Sequence, residues 1–125
     1  MTRWSKLQGN RRQLAHWIGS EAESRACQYL EKQGLVLLQR NYRCKAGEID
    51  LIMQDTEHLV FVEVKYRKKT HYGRAVEYFT ETKRKKVQRA ILHYLQRAGL
   101  NDALTPQRID VIAIDNDQIK WLKAV

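Results

Sequence analysis

Charged residues fall at every second position inside two otherwise apolar runs near the middle of this chain: Gly47-Glu48-Ile49-Asp50-Leu51-Ile52 and Phe61-Val62-Glu63-Val64-Lys65. Alternation marks a strand, whose successive side chains point to opposite faces, so Glu48 shares a face with Asp50 and Glu63 with Lys65. The polar stretch Gln54-Asp55-Thr56-Glu57-His58 between the runs is short enough for a hairpin turn. A turn symmetric about Thr56 and Glu57 sets Asp50 directly opposite Glu63 and Glu48 opposite Lys65. In the same register Ile49, Leu51 and Met53 meet Val64, Val62 and Val60 on one wholly apolar face. A slip of one residue mixes the two faces, so a buried sheet selects this register.

Helical periodicity flanks the hairpin. Leu14, Ile18, Ala22, Ala26, Tyr29 and Leu30 recur at helical spacing and predict a helix from about Gln13 to Gln33, stopped by Gly34. Leu35 to Arg43 reads as a first strand and Cys44 to Gly47 as a turn. Thr80 is the N-cap of a second helix running to about Ala98, with Val87, Ile91, Tyr94, Leu95 and Ala98 as its buried stripe and Gly99 as its stop. After a loop from Asn101 to Pro106, Gln107 to Ile114 and Gln118 to Leu122 form a second hairpin around Asn116-Asp117. The class is α/β: a helix, a three-stranded antiparallel meander, a helix packed across it and a closing strand pair.

The chain of 125 residues makes one domain, 13–125, preceded by a flexible basic arm, 1–12, in which Arg3, Lys6, Arg11 and Arg12 meet no acidic residue. One proline and six glycines leave no room for linkers. Cys27 and Cys44 stand seventeen apart without a CxxC, which suggests neither a zinc site nor a disulfide framework. No apolar run resembles a signal peptide or approaches the ~20 residues that span a bilayer. A reduced, cytoplasmic protein with no membrane partner is expected.

Charge sharpens the picture. The net charge is +9, and between Lys65 and Arg97 eleven Lys/Arg meet two acids, Glu77 and Glu81, while the rest of the chain balances twelve against twelve. The whole excess therefore follows the second charged strand, the footprint of a polyanion binder. Lys83, Arg84, Lys85 and Lys86 crowd the first turn of the second helix, the end where the helix dipole is already positive, with Arg89 one turn on and Arg67, Lys68 and Lys69 in the preceding loop. A basic helix face is ordinarily just solvated, but phosphate contact explains this placement better. Tyr66, Tyr72 and Tyr78, interleaved with these basics, either stack on unpaired bases or pack in the core. Trp4 and Trp17 suit a dimer surface, and the four histidines show no metal or triad spacing.

The candidate chemistry lies in the hairpin. Like charges directly opposite in an antiparallel pair destabilise it, so Asp50 against Glu63 asks for a cation between them. Mg²⁺ is such a hard cation, held by one or two carboxylates with phosphate and water completing its shell. Lys65, one pleat along, is placed to hold a nucleophilic water or offset charge on a phosphate. The plainer alternative is a solvated strand face with Glu48 and Lys65 as an ordinary cross-strand ion pair.

Asp50 followed thirteen residues later by Glu63-Val64-Lys65 resembles the PD-(D/E)xK nuclease signature, with Ile49 in place of the proline. More widely the chain is similar to the bacterial YraN family, itself similar to archaeal Holliday-junction resolvases. The matching segments are Gly19 to Glu23, Tyr29-Leu30-Glu31, Asn41-Tyr42-Arg43, Gly47 to Ile52, Val60 to Lys65, Tyr72-Gly73, Thr80 with Lys83, Arg108 to Ala113 and Trp121-Leu122-Lys123. Ala22 departs from the family's glycine. The resemblance implies a restriction-endonuclease-like fold (αβββαββ), with a central mixed sheet flanked by helices, and Mg²⁺- or Mn²⁺-dependent cleavage of phosphodiester bonds. DNA is the expected substrate ahead of RNA, branched or structured DNA included. Asp50, Glu63 and the Val64 carbonyl would bind metal, Lys65 would orient water, and Glu48 or Glu23 would complete the shell. Glu23 is nominated by the glutamate that related nucleases carry on the first helix; a surface glutamate at the stripe's edge is the other reading. Lys83, Arg84, Lys85, Lys86 and Arg89 would hold the flanking backbone, and a homodimer would suit a symmetric junction. Two other classes stay open: a non-catalytic nucleic-acid-binding module retaining the nuclease fold, and an adaptor that sets its basic face against an acidic protein.

Overall fold

The computed structural model describes residues 11–67, 79–115 and 117–125, apart from the side chains of 11–17 and 67. The elements in order are α1 (Arg11–Lys32), β1 (Val36–Cys44), β2 (Gly47–Gln54), β3 (Leu59–Arg67), α2 (Glu81–Ala98), a short 3-10 turn (Asp102–Leu104), β4 (Gln107–Asp115) and β5 (Gln118–Leu122). This is the αβββαββ order of the restriction-endonuclease-like fold, and the strands lie in that same sequence across a single five-stranded sheet. All neighbours are antiparallel except β3 and β4, which run parallel from Leu59 beside Gln107 to Arg67 beside Asp115. The sheet is therefore mixed, and the crossover that parallel pairing requires is supplied by α2.

Each helix covers one face. Ala22, Ala26, Cys27 and Leu30 of α1 pack on Leu51, Met53, Val60, Val62, Ile112 and Ile114. Val87, Ala90, Ile91 and Leu95 of α2 pack on Tyr42, Ile49, Ile52, Leu59, Phe61 and Val111. The central strand β3 is buried on both sides from Leu59 to Glu63, which is why its sequence reads as a nearly unbroken apolar run. No helix among the described residues is long and apolar enough to cross a membrane.

Local signals account for most boundaries. Thr80 Oγ1 accepts the Lys83 amide at 3.2 Å, and Gly99, at φ 74°, closes α2 in the left-handed region that a side chain disfavours. Gly34, at φ 100°, ends α1, and the Leu35 amide returns to the Leu30 carbonyl at 3.1 Å. In the β2–β3 turn, Asp55 Oδ1 accepts the amides of Glu57 and His58 at 2.8 and 2.6 Å. Cys44 and Gly47 pair within the sheet rather than in a turn, leaving a two-residue connection. In α2, Ala90 is buried where the sequence stripe named Ala98, which is exposed.

One expectation is corrected at the centre of the sheet. Leu51, Met53, Val60 and Val62 share the α1 face in the predicted register, but Ile49 packs under α2 instead. Strand β1 changes face at the same level: Arg40, beside Leu51, reaches toward α1, whereas Tyr42, beside Ile49, lies in the α2 layer. Between those pairs stand Asn41, at φ 53°, and Asp50. Asparagine tolerates the left-handed region better than most side chains, and alternation read along one strand cannot register such a twist in its neighbour.

Candidate functional site

The β2–β3 ladder stops at Leu51 and Val62. One residue further, carboxylates take over from main-chain pairing. The Asp50 amide donates to Glu63 Oε2 at 3.3 Å, and the Val64 amide donates to Asp50 Oδ2 at 2.8 Å. Two amides at the end of a ladder are thereby satisfied by side chains, and both carboxylates are pinned toward each other. Glu63 is only 5% exposed and Asp50 is half-buried. Burial, and next the Asp50 carboxylate beside it, push the Glu63 pKa up to about 8. Burial raises Asp50 too, against the Val64 amide, which favours its charged form. Such a pair holds a proton at neutral pH unless a cation takes its place.

Two more carboxylates arrive from either side. Ligand oxygens of Glu23, Glu48 and Asp50 lie within 4.8 Å of one another. Glu23 comes from α1, with its side chain 14% exposed, and burial followed by the charge on Asp50 raises its pKa. Arg40 of β1 fastens that part of the helix: its guanidinium donates to Ser24 Oγ at 3.1 Å and to the Ser20 carbonyl at 3.3 Å, and lies 3.8 Å from Glu23 Oε1. Glu48 is not opposite Lys65 as the register extrapolated. Because the β2–β3 ladder has already ended, Glu48 turns to the other neighbouring strand and meets Arg43 Nε at 3.0 Å.

The cationic wall is built by Lys65 and Lys83. Lys65 is half-buried, and the neighbouring Lys83 side chain, then burial, lowers its pKa. Lys83 also acts electrostatically on both Asp50 and Glu63. A pocket of about 230 Å³ opens between the carboxylates and α2, lined by Gly47, Glu48, Asp50, Glu63, Lys83, Lys86 and Val87; Lys65 is not among its lining residues. Gly47 sits at φ 154°, a backbone conformation that side chains rarely adopt, beside the Lys86 carbonyl of α2.

The remaining basic candidates lie apart from this pocket. Lys85 and Arg89 are exposed on α2. Arg84 turns away, donating to the Val125 main-chain oxygen at 2.6 Å, pairing with Glu81 at 3.5 Å and covering the Phe79 ring at 5.1 Å. Val64 contributes its amide to Asp50. Tyr66 is exposed; Tyr72, Tyr78, Lys68, Lys69 and Trp4 lie outside the described residues, as do the side chains of Arg67 and Trp17.

Sequence reasoning passed over two arginines and one aspartate. Arg40 and Arg43 carried no local signal, since an arginine in an edge strand is ordinarily solvated. Asp110 is completely buried and accepts from Arg108 Nε at 3.1 Å, Trp121 Nε1 at 2.9 Å and the Ala124 amide at 3.0 Å. Arg108 also reaches Asp55 at 2.8 Å, tying the β2–β3 turn to β4. An acid inside the apolar run Ile109 to Ile114 was the available clue. A larger cleft of about 510 Å³ opens between Ile91 and Leu92 of α2 and Arg108 of β4, away from the acidic cluster.

Comparison with known proteins places the chain. Proteins from Nitrosococcus oceani and Colwellia psychrerythraea are each 48% identical to it over 109 residues, covering 84% of this chain and 87% and 84% of theirs. One from Shewanella baltica is 49% identical over 105 residues, covering 84% of this chain and 94% of its own. All three are described as UPF0102 proteins. The model of the uncharacterised protein family UPF0102 matches residues 22–114. The chain belongs to that family.

Proposed function

We propose that this protein is a metal-dependent nuclease that hydrolyses phosphodiester bonds in DNA, branched or otherwise structured DNA included. The observation that carries this reading is the convergence of Asp50 and Glu63 at the end of their ladder, with Glu23 and Glu48 beside them and Lys65 and Lys83 against them. All the acidic donors are oxygens, which suits a hard divalent ion such as Mg²⁺ or Mn²⁺. A proton now offsets the repulsion that such an ion would relieve. Asp50 and Glu63 would hold the ion, with the Val64 carbonyl, Glu48 or Glu23 completing its shell. When bound, it supplies a Lewis acid that stabilises charge on the phosphoryl oxygens and acidifies water.

The chain's own groups do the rest. Lys65 orients the attacking water by donating a hydrogen bond to its oxygen, and its remaining N–H groups offset charge on the phosphate. One P–O bond forms to that water, the bond to the leaving sugar oxygen breaks, and the water's proton passes to solvent while the leaving oxygen is protonated. Lys85, Lys86 and Arg89 grip the flanking backbone, which makes affinity fall steeply with salt. Incubation with branched, duplex and single-stranded DNA, in Mg²⁺, Mn²⁺ or chelator, tests the reading beside Asp50→Asn and Lys65→Ala. Metal-dependent nicking absent from both variants supports it; nicking that persists in either variant, or none by the wild type, sinks it.

One observation favours a second reading. Asp50 and Glu63 satisfy each other through amides and a proton without any cation. A non-catalytic nucleic-acid module with this fold predicts salt-sensitive DNA binding unaffected by metal or by Asp50→Asn.

A further inference from the structure

The lysines of this pocket pose the same electrostatic problem as its carboxylates. Lys83 from α2 lines the pocket with Asp50 and Glu63, and Lys65 leaves β3 two residues after Glu63 with Lys83 as its neighbour. Two ammonium groups therefore share one pair of carboxylates, an arrangement that costs free energy unless something negative lies near. At present the Asp50–Glu63 pair, sharing one proton, fills that role with a single negative charge. The balance changes once a divalent cation occupies the carboxylates. Glu48 keeps Arg43 and Glu23 keeps Arg40, so two positive charges on the cation cancel Asp50 and Glu63 and leave both lysines without a counter-charge. The pocket of about 230 Å³ that Lys83 lines with Asp50 and Glu63 has room for one phosphoryl group, with Lys65 two residues along β3 from Glu63. Its anion-binding character comes from side chains, because the Lys83 amide is already taken by Thr80 Oγ1 at 3.2 Å.

We propose that Lys83 is a catalytic residue: with Lys65 it brackets the non-bridging oxygens of the scissile phosphate, and this seat forms only when metal occupies the neighbouring carboxylates. The assignment rests on the nuclease reading for its catalytic part. It moves Lys83 from the flanking backbone, where its basic neighbours act, to the reacting phosphorus. Lys83 forms no covalent bond and gives up no proton; it lowers the barrier by holding charge that grows on the phosphoryl oxygens. The geometry also makes metal and phosphate cooperative, since each removes the repulsion that opposes the other.

The test uses the full chain and inorganic phosphate. The thermal midpoint is followed against phosphate, with and without Mg²⁺, for wild type, Lys83→Met, Lys83→Arg, Lys65→Met and, as a control on β5, Lys120→Met. Wild type and Lys120→Met should rise on adding phosphate, several-fold more in Mg²⁺ than in chelator. Lys83→Met and Lys65→Met should lose at least half of that rise, and Lys83→Arg should keep it. An unchanged rise in Lys83→Met, or no rise in the wild type, overturns the seat. Single-turnover cleavage and duplex affinity then separate the two ideas. Lys83→Met should slow cleavage about 100-fold with affinity within threefold, whereas a loss of affinity matching the loss of rate returns Lys83 to the flanking contacts. A wild type that cuts nothing while phosphate still binds cooperatively with Mg²⁺ refutes the nuclease reading and leaves the seat standing.

Discussion

Asp50 and Glu63 hold each other where a sheet would ordinarily hold itself. The Asp50 amide gives its hydrogen to Glu63, and Asp50 in turn takes the hydrogen of Val64, the residue after Glu63. The arrangement keeps two acidic groups together despite their mutual repulsion, because each also satisfies a main-chain amide that lacks a strand partner. The carboxylates are thus positioned in advance of any ligand, on rigid strands rather than on a loop.

Stability in chelator should fall as pH rises. Glu63 titrates near 8 in the folded chain against 4.5 as its ordinary value. Between those limits the folded state carries a proton that the unfolded state has lost, so the contribution is whole below about pH 4.5 and gone above about pH 8. Asp50, also raised, acts in the same direction. Thermal midpoints recorded from pH 5 to pH 8 should decline by several degrees in the wild type and by less in Glu63→Gln, where only Asp50 is left to titrate.

Metal should reverse that decline. At a hundred times its dissociation constant, a cation that binds only the folded state adds about 2.7 kcal/mol, on the order of a 10 °C rise for a domain of this size. Asp50→Asn should abolish the rise while leaving the metal-free protein at least as stable as the wild type, since the amide oxygen can still accept from Val64 and one of the opposed charges is gone. A wild type indifferent to Mg²⁺ and Mn²⁺ at pH 8 contradicts this.

Arg40 should matter to Glu23 more than to the fold. It is one-third exposed, so Arg40→Ala removes an ion pair and two hydrogen bonds at a cost of about 1–2 kcal/mol. Metal affinity should drop about tenfold as Glu23 loses its tether, in the range seen when groups supporting a metal ligand are removed. Calorimetric titration with Mn²⁺ checks it; an affinity matching the wild type takes Glu23 out of the site.

The Asp110 network should be the costliest polar feature to break. Asp110→Ala leaves Arg108 short of a partner and takes the fully buried acceptor away from the part-buried Trp121 and Ala124 donors. A loss of about 3–5 kcal/mol is expected in denaturant unfolding. Asp110→Asn should recover little, because its amide would face donors on every side.

The β2–β3 register, both caps of α2, the hairpin around Asp117 and the α/β class were legible from the chain because each depends on near neighbours. A short turn fixes which residues meet, and alternation fixes which face is apolar. Extrapolated two and three residues past Leu51 and Val62, the same reasoning failed: it kept Ile49 on the α1 side and faced Glu48 to Lys65. The ladder ends there, and both β1 and β2 change face at Asn41 and Asp50.

By itself the sequence determined the helices, the strands and the pairing of Asp50 with Glu63, since local sterics and period-two burial act over a few residues. It also determined that positive charge gathers after β3. Only the tertiary structure decided that Arg43 takes Glu48, that Arg40 anchors Glu23 beside Asp50, and that Lys83 stands next to Lys65. Those contacts join elements that no local pattern relates. They arise because α1 and α2 must each bury an apolar face on opposite sides of one sheet, and that packing carries their charged residues to its frayed centre.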